Sequence, residues 1–159
     1  VVAGSAETPM ATPPGDPPPV YPTVVPAPRR LRYAAQVNGV GADADLEWIH
    51  DGQRYRLDLR VHGPAGSLVE QRSEGGFDAA GVAPERFIDR RRGHVVGAAH
   101  FRRDSGRISF SGPQIDYPAW PGSQDRLAWL PQFVAVLAAA ATFLGRRPAA
   151  PAPPASSAR

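Results

Sequence analysis

Between Gln53 and His62 the side chains alternate without a break. Tyr55, Leu57, Leu59 and Val61 point one way, and Arg54, Arg56, Asp58 and Arg60 point the other. A period of two gathers apolar groups on one face of a strand and scatters them around a helix. One dry face and one wet face also select antiparallel neighbours, because parallel sheets are covered on both sides. Asp51-Gly52 before this run and Gly63-Pro64-Ala65-Gly66 after it are turn chemistry. Similar punctuation recurs about every 8–12 residues, the spacing of an all-β sheet or barrel.

The remaining strands follow from the same two signals. Leu31–Val37 places Tyr33, Ala35 and Val37 on one face and ends at Asn38-Gly39. Ala44–Ile49 turns Leu46 and Trp48 inward. Leu68–Glu74 alternates except at Leu68-Val69, where a bulge fits. Gly75-Gly76 and Gly81 frame a short excursion around Phe77. Pro84 leads into Arg86–Arg92, then come Val95–Arg102 and Arg107–Phe110. After a loop over 113–123, Ser123 is placed to cap a helix over 124–144, with Asp125 complementing its dipole. The apolar part, Leu127–Leu144, has 18 residues, close to the length of a membrane span. Its alanines, Pro131 and Gln132 favour a helix packed on the sheet instead. The expected fold is mainly β: an antiparallel meander of six to eight short strands forming a curved sheet or partial barrel, plus one C-terminal helix.

Composition sets the boundaries. Most of the 19 prolines lie before Arg29 or after Arg147. Residues 1–28 therefore read as a disordered Pro-rich linker favouring polyproline II, 29–145 as the domain, and 146–159 as a disordered Ala/Pro tail. Residues 1–20 contain no apolar core of a secretory leader. The absence of Cys removes disulfides, thiolate metal sites and thiol nucleophiles. All 18 basic residues are Arg, and the net charge of +3 is a mild excess.

Catalytic patterns are missing. No Gly-x-Ser-x-Gly elbow or Gly-rich phosphate loop occurs, and His50, His62, His94 and His100 lack metal-ligand spacing. The expectation is a protein that is not an enzyme and uses neither cofactor nor metal. Between Arg86 and Arg107, seven Arg stand against Glu85, Asp89 and Asp104, a local balance of +4. Arg90, Arg92 and Arg102 are candidates for contact with an anionic partner, of which anionic lipid fits better than nucleic acid, given the lack of exposed stacking aromatics. Arg86 and Asp125 are expected to pair and join meander to helix, with Arg126 as the alternative partner for Glu85. If the single helix covers only part of a concave sheet, the remainder is a groove for an acyl chain or a partner's strand. Trp48, Tyr55, Leu57, Leu59 and Trp129 are the candidate lining.

Residues 31–137 resemble the bacterial envelope family catalogued as domain of unknown function 3108. The likeness is carried by Leu31-Arg32-Tyr33, Ala44-Asp45-Leu46-Glu47-Trp48, Tyr55-Arg56-Leu57, Ser73-Glu74-Gly75, Gly81-Val82-Ala83-Pro84-Glu85-Arg86-Phe87, and Gln124-Asp125-Arg126-Leu127 before an apolar helix. It implies a periplasmic or envelope-associated location, peripheral to the membrane or anchored outside this stretch. It also implies a curved sheet similar to that of lipid or lipoprotein carriers, and no established activity. Members continue past the helix with further strands where this sequence runs into Ala and Pro, so the chain reads as a truncated or diverged member. The functional expectation is a non-catalytic envelope module binding an apolar or lipid-like ligand in a concave sheet. The alternative is an interaction module docking a protein through an open sheet edge or the arginine stripe.

Overall fold

The computed structural model describes residue 16 and residues 18–112 and 115–145. Eight strands form one antiparallel sheet in sequence order: β1 (Arg29–Val37), β2 (Val40–His50), β3 (Arg54–Gly63), β4 (Gly66–Asp78), β5 (Gly81–Arg91), β6 (His94–Arg102), β7 (Arg107–Phe110) and β8 (Tyr117–Pro118). One helix, α1 (Trp129–Gly145), follows. The sheet is an open meander: each strand pairs with its sequence neighbours, and β1 and β8 form its ends.

Tight turns keep the strands in order. Asn38 and Gly39 (φ 52° and 80°) join β1 to β2, and Arg92 and Gly93 (φ 49° and 81°) join β5 to β6. Two successive residues with positive φ match the twist of the strands they connect. Arg92, a candidate for an anionic partner, thus serves the backbone of a turn.

Three register shifts interrupt the ladder: that between Asp89 and Arg90 leaves Val96 unpaired, and the other two alter the expected faces. One lies at Val61/His62, where Val69 opposes Val61 and Ser67 opposes His62, leaving Leu68 unpaired as a bulge. The other lies between Glu74 and Gly75, opposite Arg86 and Pro84, and leaves Glu85 unpaired. The second bulge overturns the expectation that Glu85 and Arg86 point to opposite faces: both are exposed. Gly75 and Gly76 do not end a strand, and Phe77 is not in a strand of its own, since β4 runs through all three. A Cβ on Gly75 would be driven into the backbone carbonyl of Ala83, so the close approach of β5 requires glycine there.

The outer face is a lattice of alternating charge. Reading across neighbouring strands, Arg32, Asp45, Arg60, Glu70 and Arg90 form one row. Arg56, Glu74, Arg86 and His100 form another. Between them Asp58 is buried under three guanidiniums, at 2.6 Å from Arg72, 3.0 Å from Arg56 and 3.4 Å from Arg60. Opposite charges directly across strands stabilise the pairing.

The inner face holds the core. Trp48, Tyr55, Leu57, Val82, Phe87, Ala99, Phe101 and Ile108 pack with Leu127 and Ala128 from the segment before α1. A smaller cluster of Ala44, Val61 and Val69 lies beside it. The helix begins at Trp129, later than 124, and the cap is Asp125 rather than Ser123. Asp125 Oδ1 accepts from the backbone N–H of Leu127 (2.8 Å) and Ala128 (2.7 Å). Pro131 falls in the first turn, where its missing N–H costs nothing. Among the described residues no helix is long and apolar enough to cross a membrane.

Residues 18–28 are not a free linker. They run extended along the domain, held where the Val24 N–H donates to the Ala135 carbonyl (2.9 Å) and Trp48 Nε1 donates to the Pro26 carbonyl (2.9 Å). Residues 1–15 and the expected tail at 146–159 lie outside the described residues.

Candidate ligand groove

Two polar systems, one buried and one partly buried, join the meander to the segment that opens α1. In the first, Ser73 Oγ donates to Asp125 Oδ2 at 2.5 Å. Its lone pairs then accept from the Tyr55 hydroxyl at 2.9 Å. All three residues are buried. Burial raises the Asp125 pKa above the ordinary carboxylate value, against the lowering effect of the Ser73, Ala128 and Leu127 donors. Burial also pushes the Tyr55 hydroxyl up. The partner of Asp125 is therefore Ser73, and the expected Arg86–Asp125 pair does not form. Arg86 stays on the outer face opposite Glu74 because the bulge at Glu85 rotates it there. Arg54, not Arg126, pairs with Glu85, in a two-pronged contact of 2.5 and 2.8 Å.

In the second system, two glutamines complete the end of β5 that β6 does not reach. Gln132 accepts from the Val82 N–H (2.8 Å) and donates to the Ala80 carbonyl (2.6 Å). Gln124 donates to the Val82 carbonyl (2.6 Å). Gln132, read from sequence as a polar interruption of an apolar helix, is the group that docks it.

Beside these anchors lies a groove of about 490 Å³ over the inner face of β5, β6 and β7. This falls within the roughly 300–1,000 Å³ of small-molecule sites. Its floor is Phe87, Ala99, Phe101, Ile108 and Phe110, and its far wall is Gln124, Asp125 and Arg126. The space exists because β6 carries small residues where its neighbours carry large ones. Gly97 faces Asp89 and Ala99 faces Phe87, and a Cβ built on Gly97 meets nothing within 4 Å.

At one side of the groove sits Asp89, 4% exposed. Its Oδ2 accepts from Gln71 Nε2 and Arg91 Nη2, both at 3.1 Å, and lies 3.8 Å from Arg126 Nη1. Its Oδ1 is 3.0 Å from Arg91 Nε yet accepts no hydrogen bond. Gln124 Oε1 is likewise buried without a donor.

The predicted lining residues do not line this groove. Trp48, Tyr55 and Leu57 are filled-in core: Phe77 packs against the first two at ring separations of 6.2 and 5.8 Å, and Leu57 is 1% exposed. Leu59 packs at the edge of the core. Trp129 points outward from α1, half exposed. Pro26 and Val25 reach Trp48 and the core from residues 18–28, and Leu127 and Ala128 complete it, while the remaining space lies over β5–β7. The run Gly97-Ala98-Ala99 between larger residues was the available sequence signal.

The candidate arginines do not converge either. Arg90 and Arg92 lie at the β5–β6 turn and Arg102 at the opposite end of β6. Eight residue steps of strand separate the ends of β6, about 26 Å. Arg91, Arg103 and Arg107 are engaged with Asp89, Asp78 and Asp116. Among the described residues no three His, Asp or Glu side chains form a metal-holding group. Comparison with known proteins returns no matching family model, no matching curated protein and no matching solved structure.

Proposed function

We propose that this protein is a non-catalytic binding module that holds an apolar or lipid-like ligand in the groove over β5–β7. The observation that carries the reading is a groove of about 490 Å³ lined by Phe87, Phe101, Ile108 and the exposed Phe110, beside a helix whose glutamine docks at the start of β5. A surface of this kind gains free energy by leaving water, at about 25 cal/mol for each Å² of apolar area. An envelope location is part of the proposal and rests on the resemblance of residues 31–137 alone.

Docking of a protein partner is the second reading. It is favoured by the end strand β1, where Leu31 and Tyr33 stand exposed beside an edge that pairs with no other described strand. The arginine stripe gives it little support, since its members are split between two ends of β6.

Gly97→Leu tests the groove directly. The substitution meets open space and suits a strand, so the fold should survive, as checked by circular dichroism and melting. The new side chain enters the groove on the face shared with Asp89 and Ala99. Native mass spectrometry of the gently purified chain should show a lipid-sized adduct that Gly97→Leu loses. An adduct retained at full occupancy by a folded variant would place the ligand elsewhere.

A further inference from the structure

The outer face of α1 is apolar and uncovered. From Trp129 to Gly145 the helix carries no charged side chain, and it buries only Pro131 and Ala135. A helix that is apolar on all sides normally has cover on all sides. Here Pro131, Gln132 and Ala135 take the inner side, while Trp129, Phe133, Val134, Leu137 and Leu144 are about half exposed or more. Leu130, Phe133, Leu137, Ala140 and Leu144 recur at alternating spacings of three and four, the pattern that keeps one narrow stripe facing a second helix.

The stripe is complementary to itself. Its large side chains stand in the first half of α1 and its alanines in the second. With two copies antiparallel about a twofold axis at Leu137, Phe133 meets Ala141, Val134 meets Ala140, Leu130 meets Leu144, and Leu137 meets its own counterpart. Large residues set against small ones let two helices interdigitate, and the opposed helix dipoles favour the antiparallel sense. Five half-exposed side chains of this size leave roughly 100 Å² each in water. A pair of copies then covers about 1,000 Å², enough for a specific dimer when the fit is good. A lipid surface fits less well: it needs no alternation of size, and helices lying on membranes border their apolar face with Lys or Arg, which α1 lacks between Trp129 and Gly145.

We propose that α1 is a dimerisation helix, pairing antiparallel with the α1 of a second copy of this chain through Phe133, Leu137 and Leu144. No residue of α1 lines the groove over β5–β7, so the inference stands independently of the ligand reading.

Sedimentation equilibrium of the full chain between about 1 μM and about 200 μM should show a monomer–dimer equilibrium. Leu137→Glu and Leu137→Arg, each checked by circular dichroism and melting, should each weaken association at least about tenfold, because like charges meet at the axis. Mixed in equal amounts they should recover it, since Glu then faces Arg. The chain has no Cys, so Leu137→Cys should give a disulfide-linked dimer on mild oxidation, and Leu144→Cys, far from the axis, should not. A native chain that stays monomeric overturns the proposal; if that monomer co-sediments with phosphatidylcholine vesicles, the face belongs to lipid. A dimer that Leu137→Glu does not weaken also overturns it, by placing the contact elsewhere on the chain. Folded Glu and Arg variants that fail to pair when mixed overturn the twofold axis at Leu137.

Discussion

Asp125 does two jobs that oppose each other. Its carboxylate caps the turn before α1 and holds Ser73, work best done with a full negative charge. Its burial favours the protonated form, and burial prevails, so the native pKa is raised above 3.8. Between 3.8 and that raised value the native state binds more protons than the unfolded chain. Stability from this group is therefore full below 3.8 and falls as pH rises through the window. Urea titrations across pH 3.5 to 7 should show the native chain losing stability relative to Asp125→Asn as pH rises, because asparagine keeps an acceptor for the cap and cannot titrate. Asp125→Ala should cost about 1–2 kcal/mol through the lost cap at the acid end of this range, and less as the native chain loses stability with rising pH. A native-minus-Asn difference that stays flat or grows with pH would show that burial does not control this carboxyl. The sequence pointed to Asp125 as a helix-start residue but named the wrong partner. Choosing Arg86 followed from strict alternation after Pro84, and alternation cannot reveal a bulge that depends on Gly75 of another strand.

At the scale of elements, most of the meander was legible because its longer strands write their own period and its turns their own chemistry; the two-residue β8 falls in the stretch read as a loop. The strands called from alternation around Leu31, Trp48, Leu57 and Phe101 are all present. What the sequence hid was produced by contact between elements. Gly75 and Gly76 look like a turn, yet they are strand interior because β5 presses its Ala83 carbonyl against them. Gln132 looks like a flaw in the helix until the unpaired end of β5 is placed beside it. The lining of the groove was misassigned for a similar reason: period two gives the inner face, but only tertiary packing decides where along it a space is left. Replacing Gln132 with Leu leaves the Val82 N–H and Ala80 carbonyl buried without partners, at about 1–3 kcal/mol for each group. Hydrogen exchange should then show faster exchange at Val82 and through the first turns of α1, with β2 and β3 protected as before. Unchanged protection at Val82 would mean that the glutamine does not hold the helix.

Across the whole molecule, one sheet separates two environments. Its outer face spends charge on itself, row by row, so its arginines lack the common direction that an anionic surface would need. Its inner face is a buried core with a groove over β5–β7, and part of the cover comes from the segment that composition assigned to a linker. Polyproline II leaves its carbonyls without internal partners, which is what makes such a segment read as disordered and also what lets it dock. Here the Pro26 carbonyl receives both Trp48 Nε1 and the His50 ring (3.0 Å), and Val25 packs on the core. Removal of residues 1–28 should therefore lower the melting temperature and shift tryptophan emission to the red, as Trp48 loses its acceptor and part of its cover. Trp48→Phe separates this residue from Trp120 and Trp129: in its background the same truncation should lower the melting temperature while leaving emission nearly unchanged. If truncation alters neither quantity in the native chain, the segment is a spacer after all.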